Sequence, residues 1–148
     1  MNITIAKEED VDALSALLTL LFEQEAEFIP DTAKQRRGLN MIISDPGVGE
    51  ILTLKSDGQI IGMVSLLYTV STALGARVAW LEDMIIHPQH RNSGAGTQLI
   101  QAAIDHARKN GCQRITLLTD HDNAAGQQFY SRNGFQRSTM TPMRQMLT

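Results

Sequence analysis

Arg91-Asn92-Ser93-Gly94-Ala95-Gly96 sets two glycines and two small residues between an apolar run and a long amphipathic stretch. A strand that turns through small residues into a helix leaves unpaired N–H groups at the helix's positive end. Such an end is a ready seat for an anion, most often phosphate. Glycine at two positions lets a ligand approach the main chain without a Cβ in the way. The chemistry expected here is the binding of a phosphorylated ligand, and the turn alone does not say which one.

The second signature is Glu82-Asp83, two carboxylates inside the apolar run Trp80-Leu81-Glu82-Asp83-Met84-Ile85-Ile86. A buried carboxylate without a role is costly, whereas one facing a cleft can take a proton. Adjacent strand residues face opposite ways, so one of the pair is expected at the cleft, with Glu82 the stronger candidate base. The plain alternative is a salt bridge or a solvated strand end. His87, His90 and His121 lack the further spaced ligands of a zinc site and read as surface loop residues, so no metal is expected. Cys112 follows a helix end at Gly111 and reads as inert packing. Glu23, Glu25 and Glu27 read as a solvated helix end.

The elements that must position these groups follow from periodicity. Asn2 to Ala6 alternates as a short strand, and Val11, Leu14, Leu17, Leu18, Leu21 and Phe22 form a helical stripe behind an acidic start. A second helix covers Thr32 to Ile43 and stops before Asp45-Pro46-Gly47. Glu50 to Lys55 and Gln59 to Val70 read as strands joined by an Asp57-Gly58 hairpin turn. Arg77 to Ile86 leads into the glycine turn. The helix beyond it, with Leu99, Ile100, Ala103, Ile104 and Ala107 on one face, ends at Asn110-Gly111. Gln113 to Thr119 is a further strand, Asn123 to Asn133 a short helix ending at Gly134, and a last strand is expected from Phe135 to the C-terminus. The order β-α-α-β-β-β-α-β-α-β defines an α/β (α+β) fold with a mixed, mainly antiparallel sheet flanked by helices.

The 148 residues fit one domain, expected over residues 1–148, with no repeat or low-complexity break. A net charge of −3 with scattered basic residues argues against nucleic acid as a partner. One cysteine forbids an internal disulfide and suits a reducing compartment. The opening residues are too polar and acidic for a signal peptide, and Leu17 to Phe22 is far too short to span a bilayer. A soluble cytoplasmic protein without a membrane partner is expected.

No Gly-Lys-Ser/Thr follows the glycines, which removes the P-loop, and the turn comes too late, without its first glycine, for a dinucleotide fingerprint. With its setting, the turn instead resembles the phosphate loop of the GCN5-related N-acetyltransferases, Gln/Arg-x-x-Gly-x-Gly/Ala. Arg91, Gly94 and Gly96 fill that pattern, and Ile86-His87-Pro88-Gln89-His90 matches its usual lead-in. Asp122-Asn123, Phe129-Tyr130 and Gly134-Phe135 resemble the family's Asn-x-x-Ala-x-x-Phe-Tyr segment and its following Gly-Phe, with Gly126 in place of the alanine. The resemblance covers the C-terminal half in motifs and the N-terminal half in element order only.

The resemblance implies the family fold, acetyl-CoA as donor and co-substrate, and an amine as acceptor. It implies that Asn92, Ser93, Gly94, Ala95, Gly96 and Thr97, beside Arg91, hold the pyrophosphate. It implies that main-chain groups of Met84, Ile85 and Ile86 meet the pantetheine arm, with the N–H of Ile85 or a close neighbour polarising the thioester carbonyl. Asn123 would touch the pantetheine or fix its loop, and Tyr130 would protonate the departing thiolate; a packed aromatic is the plain reading of Tyr130. Leu81-Glu82-Asp83 is similar to the polyamine acetyltransferase branch, in which the glutamate is taken as proton acceptor. The acidic segment after the first helix would border the acceptor site and steer a cation towards it. Trp80 and Tyr68 read as core or sheet-face residues. A small cationic amine, such as a polyamine or aminoglycoside, is the implied acceptor, with a protein or peptide N-terminus second. A coenzyme A-binding sensor without turnover is the non-enzymatic alternative. Similar proteins commonly dimerise, so a homodimer is implied as an assembly.

Overall fold

Alternation and helical stripes place the elements where the sequence predicts them, apart from the C-terminal end. The structure, a computed structural model, describes residues 1–25 and 28–147. The strands are β1 (Asn2–Ile5), β2 (Gly49–Ser56), β3 (Gln59–Ser71), β4 (Ala76–Ile86) and β5 (Ile115–Leu117). The helices are α1 (Val11–Gln24), α2 (Thr32–Ile43), α3 (Ala95–Lys109) and α4 (Ala124–Arg132). The strands form one sheet in chain order, antiparallel from β1 to β4, with β5 parallel to β4. The β2–β3 hairpin turns at Asp57 (φ 51°) and Gly58 (φ 78°), the double left-handed turn that Asp-Gly favours. The chain divides into two compact units, Met1–Leu118 and Thr119–Thr148.

In the first unit both faces of the sheet are covered. Leu14, Leu17 and Leu18 of α1 and Leu39 of α2 pack with Ile51, Met63 and Ile85. On the opposite face, Leu99, Ile100 and Ala103 of α3 are fully buried, as are Val64, Leu66 and Leu54. The two helices on the α1 face are tied by one polar side chain. Buried Gln35 donates to Ser15 O (3.0 Å), Ser15 Oγ (3.2 Å) and Thr19 Oγ1 (3.1 Å), and accepts from Asp31 N (2.8 Å). That set leaves no buried amide unsatisfied where α2 crosses α1. No helix among the described residues is long and apolar enough to cross a membrane.

The last strand expected from Phe135 onward does not form among the described residues, so the observed order ends at α4. From Gln136 to Leu147 the chain is exposed, with Met143 at 95%. The reason lies in the spacing. Met140, Met143 and Met146 recur every three residues, a period that cannot present one face of a strand, and Pro142 lacks a ladder donor. β5 is also shorter than Gln113 to Thr119, because its partner β4 leaves the regular ladder just after Leu81.

Candidate active site

The glycine turn is built by the way β4 ends. His87 N donates to Ile61 O (2.7 Å), which closes the β3–β4 ladder before a single tight turn at Pro88–His90. Arg91 Nε is tied back to Ile86 O (3.3 Å), and Ser93 Oγ donates to His90 O (2.6 Å). Asn92 (φ 61°) and Gly94 (φ 81°) are left-handed, so the backbone alternates in hand and forms a concavity rich in N–H groups. Gly94 is the N-cap of α3 and brings no side-chain acceptor to its first turn. By contrast, Asp31 caps α2 and Asn123 caps α4. The N-terminus of this 15-residue helix therefore keeps its positive end open for an anion.

Upstream, among the described residues, β4 is paired on both edges only at Ala79, Trp80 and Leu81, and from Glu82 to Ile86 the β5 edge has no strand partner. Within this stretch the ladder slips. Ser65 pairs with Glu82 and Met63 with Ile85, so Asp83 and Met84 face Val64 alone, which is a β-bulge. The slip resets which amides point outward. Ala79 N donates towards the β5 side, to Arg114 O (2.9 Å), whereas His87 N donates towards β3. Counting back from His87 with antiparallel alternation, Ile85 turns its N–H towards β3. Ile86 turns its N–H to the open edge. The Ile86 amide thus points to the edge that β5 leaves unpaired, and the side chain of Ile85 belongs to the core.

The two carboxylates sit at the slip and differ sharply. Glu82 is exposed on β4, directly across from Ser65. Asp83 is half-buried and left-handed (φ 54°), a conformation few non-glycine residues adopt within a strand. Strict alternation, which sends only one of the pair towards a cleft, does not apply once the strand bulges. Burial first, then the charges of Glu82 and of Glu25 at the end of α1, push the Asp83 carboxyl up to about 7. Across the ladder, the fully buried Ser65 Oγ finds no hydrogen-bond partner among the described residues. Neither Ser65 nor the bulge is legible from composition, although an Asp tolerant of left-handed backbone beside Glu is a signal of one. Of the acidic segment 23–27, Glu25 lies near enough to Asp83 for its charge to raise that carboxyl, Glu23 lies on α1, and Glu27 lies outside the described residues.

In the second unit, Asn123 caps α4 by accepting from Gly126 N (3.0 Å) and donates to Thr119 Oγ1 (3.3 Å). Gly126 has a reason to be glycine: a Cβ there would meet the Asn123 side-chain amide. Tyr130 stands at the other end of the helix, where Phe135 N donates to Tyr130 O (3.0 Å) and Gly134 N to Ser131 O (3.1 Å). With Gly134 left-handed (φ 93°), this is a Schellman cap. Its hydrophobic contact is the edge-to-face pair Tyr130–Phe135, with ring centroids 5.7 Å apart; Phe129 lies 5.3 Å from Tyr130 on the other side. The Phe-Tyr and Gly-Phe dipeptides are thus one device that fixes the Tyr130 ring.

His87 and His90 form an edge-to-face pair (6.2 Å) in the lead-in, and His121 is exposed. Among the described residues no group of three or more His, Cys, Asp or Glu side chains could hold a metal ion. Cys112 is half-buried, and burial pushes its thiol up, away from nucleophilic use. Trp80 is 39% exposed on the same face as Glu82, whereas Tyr68 lies on the α3 face.

Comparison with known proteins agrees with this arrangement. Residues 12–135 match the model of the acetyltransferase (GNAT) family. The chain is 32% identical to the uncharacterized N-acetyltransferase YhfO of Bacillus subtilis over 94% of its length and 92% of that protein's. It is 27% identical to the aminoalkylphosphonate N-acetyltransferase of Salmonella typhimurium, over 90% of this chain and 83% of that one. A predicted acetyltransferase from Clostridium acetobutylicum, solved with acetyl-CoA, superposes with a TM-score of 0.80 at 18% identity, covering 97% and 95% of the two chains. Acetyltransferases of this kind use acetyl-CoA as donor. The family model spans most of the chain, and the chain belongs to the GNAT family of acetyltransferases.

Proposed function

We propose that the chain transfers the acetyl group of acetyl-CoA to a primary amine by direct attack in a ternary complex, and that the acceptor is a small cationic amine. The observation that carries this reading is the bulge at Asp83-Met84. It resets the register so that the Ile86 amide points to the edge β5 leaves unpaired, and Glu82 and Glu25 lie close enough to Asp83 to raise its carboxyl. An outward amide suits a thioester carbonyl that becomes an oxyanion, and nearby carboxylates suit an ammonium.

In this reading the pyrophosphate lies on the turn from Arg91 to Thr97, with the first amides of α3 as donors. The pantetheine follows the open edge of β4 as an added strand would. The amine attacks the carbonyl carbon, and the oxyanion is held by the outward amide of Ile86. Collapse then breaks the C–S bond. Tyr130 gives the thiolate its proton, and Asn123 fixes the loop ahead of its helix. Positioning both substrates in one cleft supplies much of the acceleration.

The Salmonella relative acts, by its name, on aminoalkylphosphonates, which carry an amine beside an anion. The carboxylates here favour acceptors without that anion. The test is release of free thiol from acetyl-CoA with a panel of polyamines, aminoglycosides, aminoalkylphosphonates and peptide N-termini. Turnover with polyamines or aminoglycosides supports the reading. Turnover confined to peptides replaces its acceptor, and coenzyme A binding without turnover makes the protein a sensor.

A further inference from the structure

A groove of about 440 Å³ opens in the first unit between α1 and the β2–β3 hairpin, and none of its lining residues is assigned above to donor or acceptor. Small-molecule sites have volumes of this order, about 300–1,000 Å³. Its long wall is apolar, with Ala13, Ala16, Leu17 and Leu20 along one side of α1 and Ile60 of β3. Ala13 and Ala16 are exposed, and their methyls leave room that longer side chains would fill. One end of the groove carries an incomplete ion pair. Asp10 is only 8% exposed, and its Oδ2 accepts from Lys7 N (2.8 Å). Its Oδ1 stands 3.9 Å from Lys55 Nζ, beyond hydrogen-bond range. Among the described residues neither that oxygen nor the half-buried Lys55 ammonium makes a hydrogen bond. Such a pair offsets its desolvation only when its remaining donors and acceptors are satisfied. Glu9 adds a second carboxylate to the lining. Lys55 pairs with Ile60 and His87 N bonds Ile61 O, so Lys55 and His87 flank β3, two strand spacings or about 10 Å apart. His87 Nδ1 accepts from Gln89 N (3.2 Å), which puts the hydrogen of a neutral ring on Nε2.

We propose that this groove binds a free α-amino acid with an apolar side chain. The ammonium and carboxylate of such a molecule are about 3 Å apart, fixed by its N–Cα and Cα–C bonds. That spacing matches the 3.9 Å between Asp10 Oδ1 and Lys55 Nζ, so each charge of the zwitterion meets its opposite. Both unmade bonds are then completed as charge-assisted hydrogen bonds. A simple cation is repelled by Lys55, and a simple anion by Asp10 and Glu9, so the pair selects a ligand that carries both charges. The side chain lies along Ala13, Ala16 and Leu20 towards His87, which takes apolar surface out of water. A peptide N-terminus brings the ammonium without the adjacent carboxylate and leaves Lys55 unpaired. Binding here needs neither acetyl-CoA nor turnover, so it goes beyond the acetyl-transfer reading.

The experiment titrates the whole chain, without acetyl-CoA, with leucine, phenylalanine and tryptophan in a calorimeter. The amide and the N-acetyl form of the tightest binder, each lacking one charge, follow. At least one of the three amino acids should bind at a single site, and both derivatives should bind at least tenfold more weakly. Asp10→Asn and Lys55→Met should each weaken the parent amino acid at least tenfold. Asp10 is buried, so a third variant keeps the test independent of its folding. Ala16→Leu adds bulk at an exposed position of α1, and it should abolish binding with the melting temperature kept. No saturable heat from any of the three at about 10 mM overturns the proposal. So does binding that survives Ala16→Leu, or derivatives that bind as tightly as the parent. None of these outcomes touches the acetyl-transfer reading, which thiol release tests on its own.

Discussion

The imidazole Nε2 of His106, near the end of α3, lies 2.9 Å from Glu50 Oε1 on β2. The same oxygen accepts a 2.7 Å hydrogen bond from the Tyr68 hydroxyl on β3, and the Arg77 guanidinium sits over the Tyr68 ring at 4.5 Å. Desolvation, then the bond to Glu50, pushes the Tyr68 hydroxyl well above the ordinary phenol range, so it stays a donor. This network fastens the far half of α3 to the sheet, and α3 carries the glycine turn on its other end. Glu50→Ala strands two donors in a half-buried place, so it should cost about 2–3 kcal/mol of folding stability. Urea unfolding reads it; an unchanged midpoint would reduce the network to a surface contact.

Gly94 and Gly75 are both left-handed with open space where a Cβ would stand, so alanine at either should cost about 1–2 kcal/mol through backbone strain alone. Only Gly94 begins α3. Gly94→Ala should weaken acetyl-CoA binding at least tenfold, and Gly75→Ala, at the β3–β4 turn, should leave it alone. Calorimetry on the pair separates a phosphate-loop effect from a stability effect, and equal affinities would remove the turn from the donor site.

The helices, the hairpin at Asp57-Gly58 and the glycine turn are legible in the sequence because each is written locally, in a period, a dipeptide or a cap. The bulge at Asp83 is not local. It arises where Val64 must face two residues of the neighbouring strand, and no window of the chain shows that. Strict alternation along a strand does not foresee the register reset that this bulge brings. Ser65 was invisible for the same reason: its missing partner is a property of the assembled sheet. The C-terminal strand is the opposite lesson, since the three-residue spacing of Met140, Met143 and Met146 speaks against it in the sequence itself.

Asp83 also sets a pH dependence of stability. Its carboxyl is raised from 3.8 to about 7 in the folded chain. Below about pH 4 it is protonated in both folded and unfolded states, and Asp83→Asn changes little. As pH rises from about 4 to 7 the unfolded chain ionises and the folded one does not, so wild-type stability falls. Above pH 7 the deficit is complete, and Asp83→Asn should be more stable by about 2–4 kcal/mol. Thermal melts at pH 4 and pH 8 test the sign; equal gains at both would locate the effect in the backbone rather than the charge.

Tyr130 is held by its cap, which makes its two candidate roles separable. Tyr130→Phe keeps the ring between Phe129 and Phe135 and removes only the hydroxyl. If that hydroxyl protonates the leaving thiolate, kcat should fall by about 10²-fold or more with acetyl-CoA affinity unchanged. Gly134→Ala keeps the hydroxyl but strains a residue at φ 93° and loosens the cap, so stability should fall by about 1 kcal/mol and the ring should lose its fixed position. A chemical acid makes both variants slow, the first through chemistry and the second through placement. A purely structural tyrosine leaves Tyr130→Phe as fast as wild type and only Gly134→Ala impaired, because packing needs the ring and chemistry needs its oxygen.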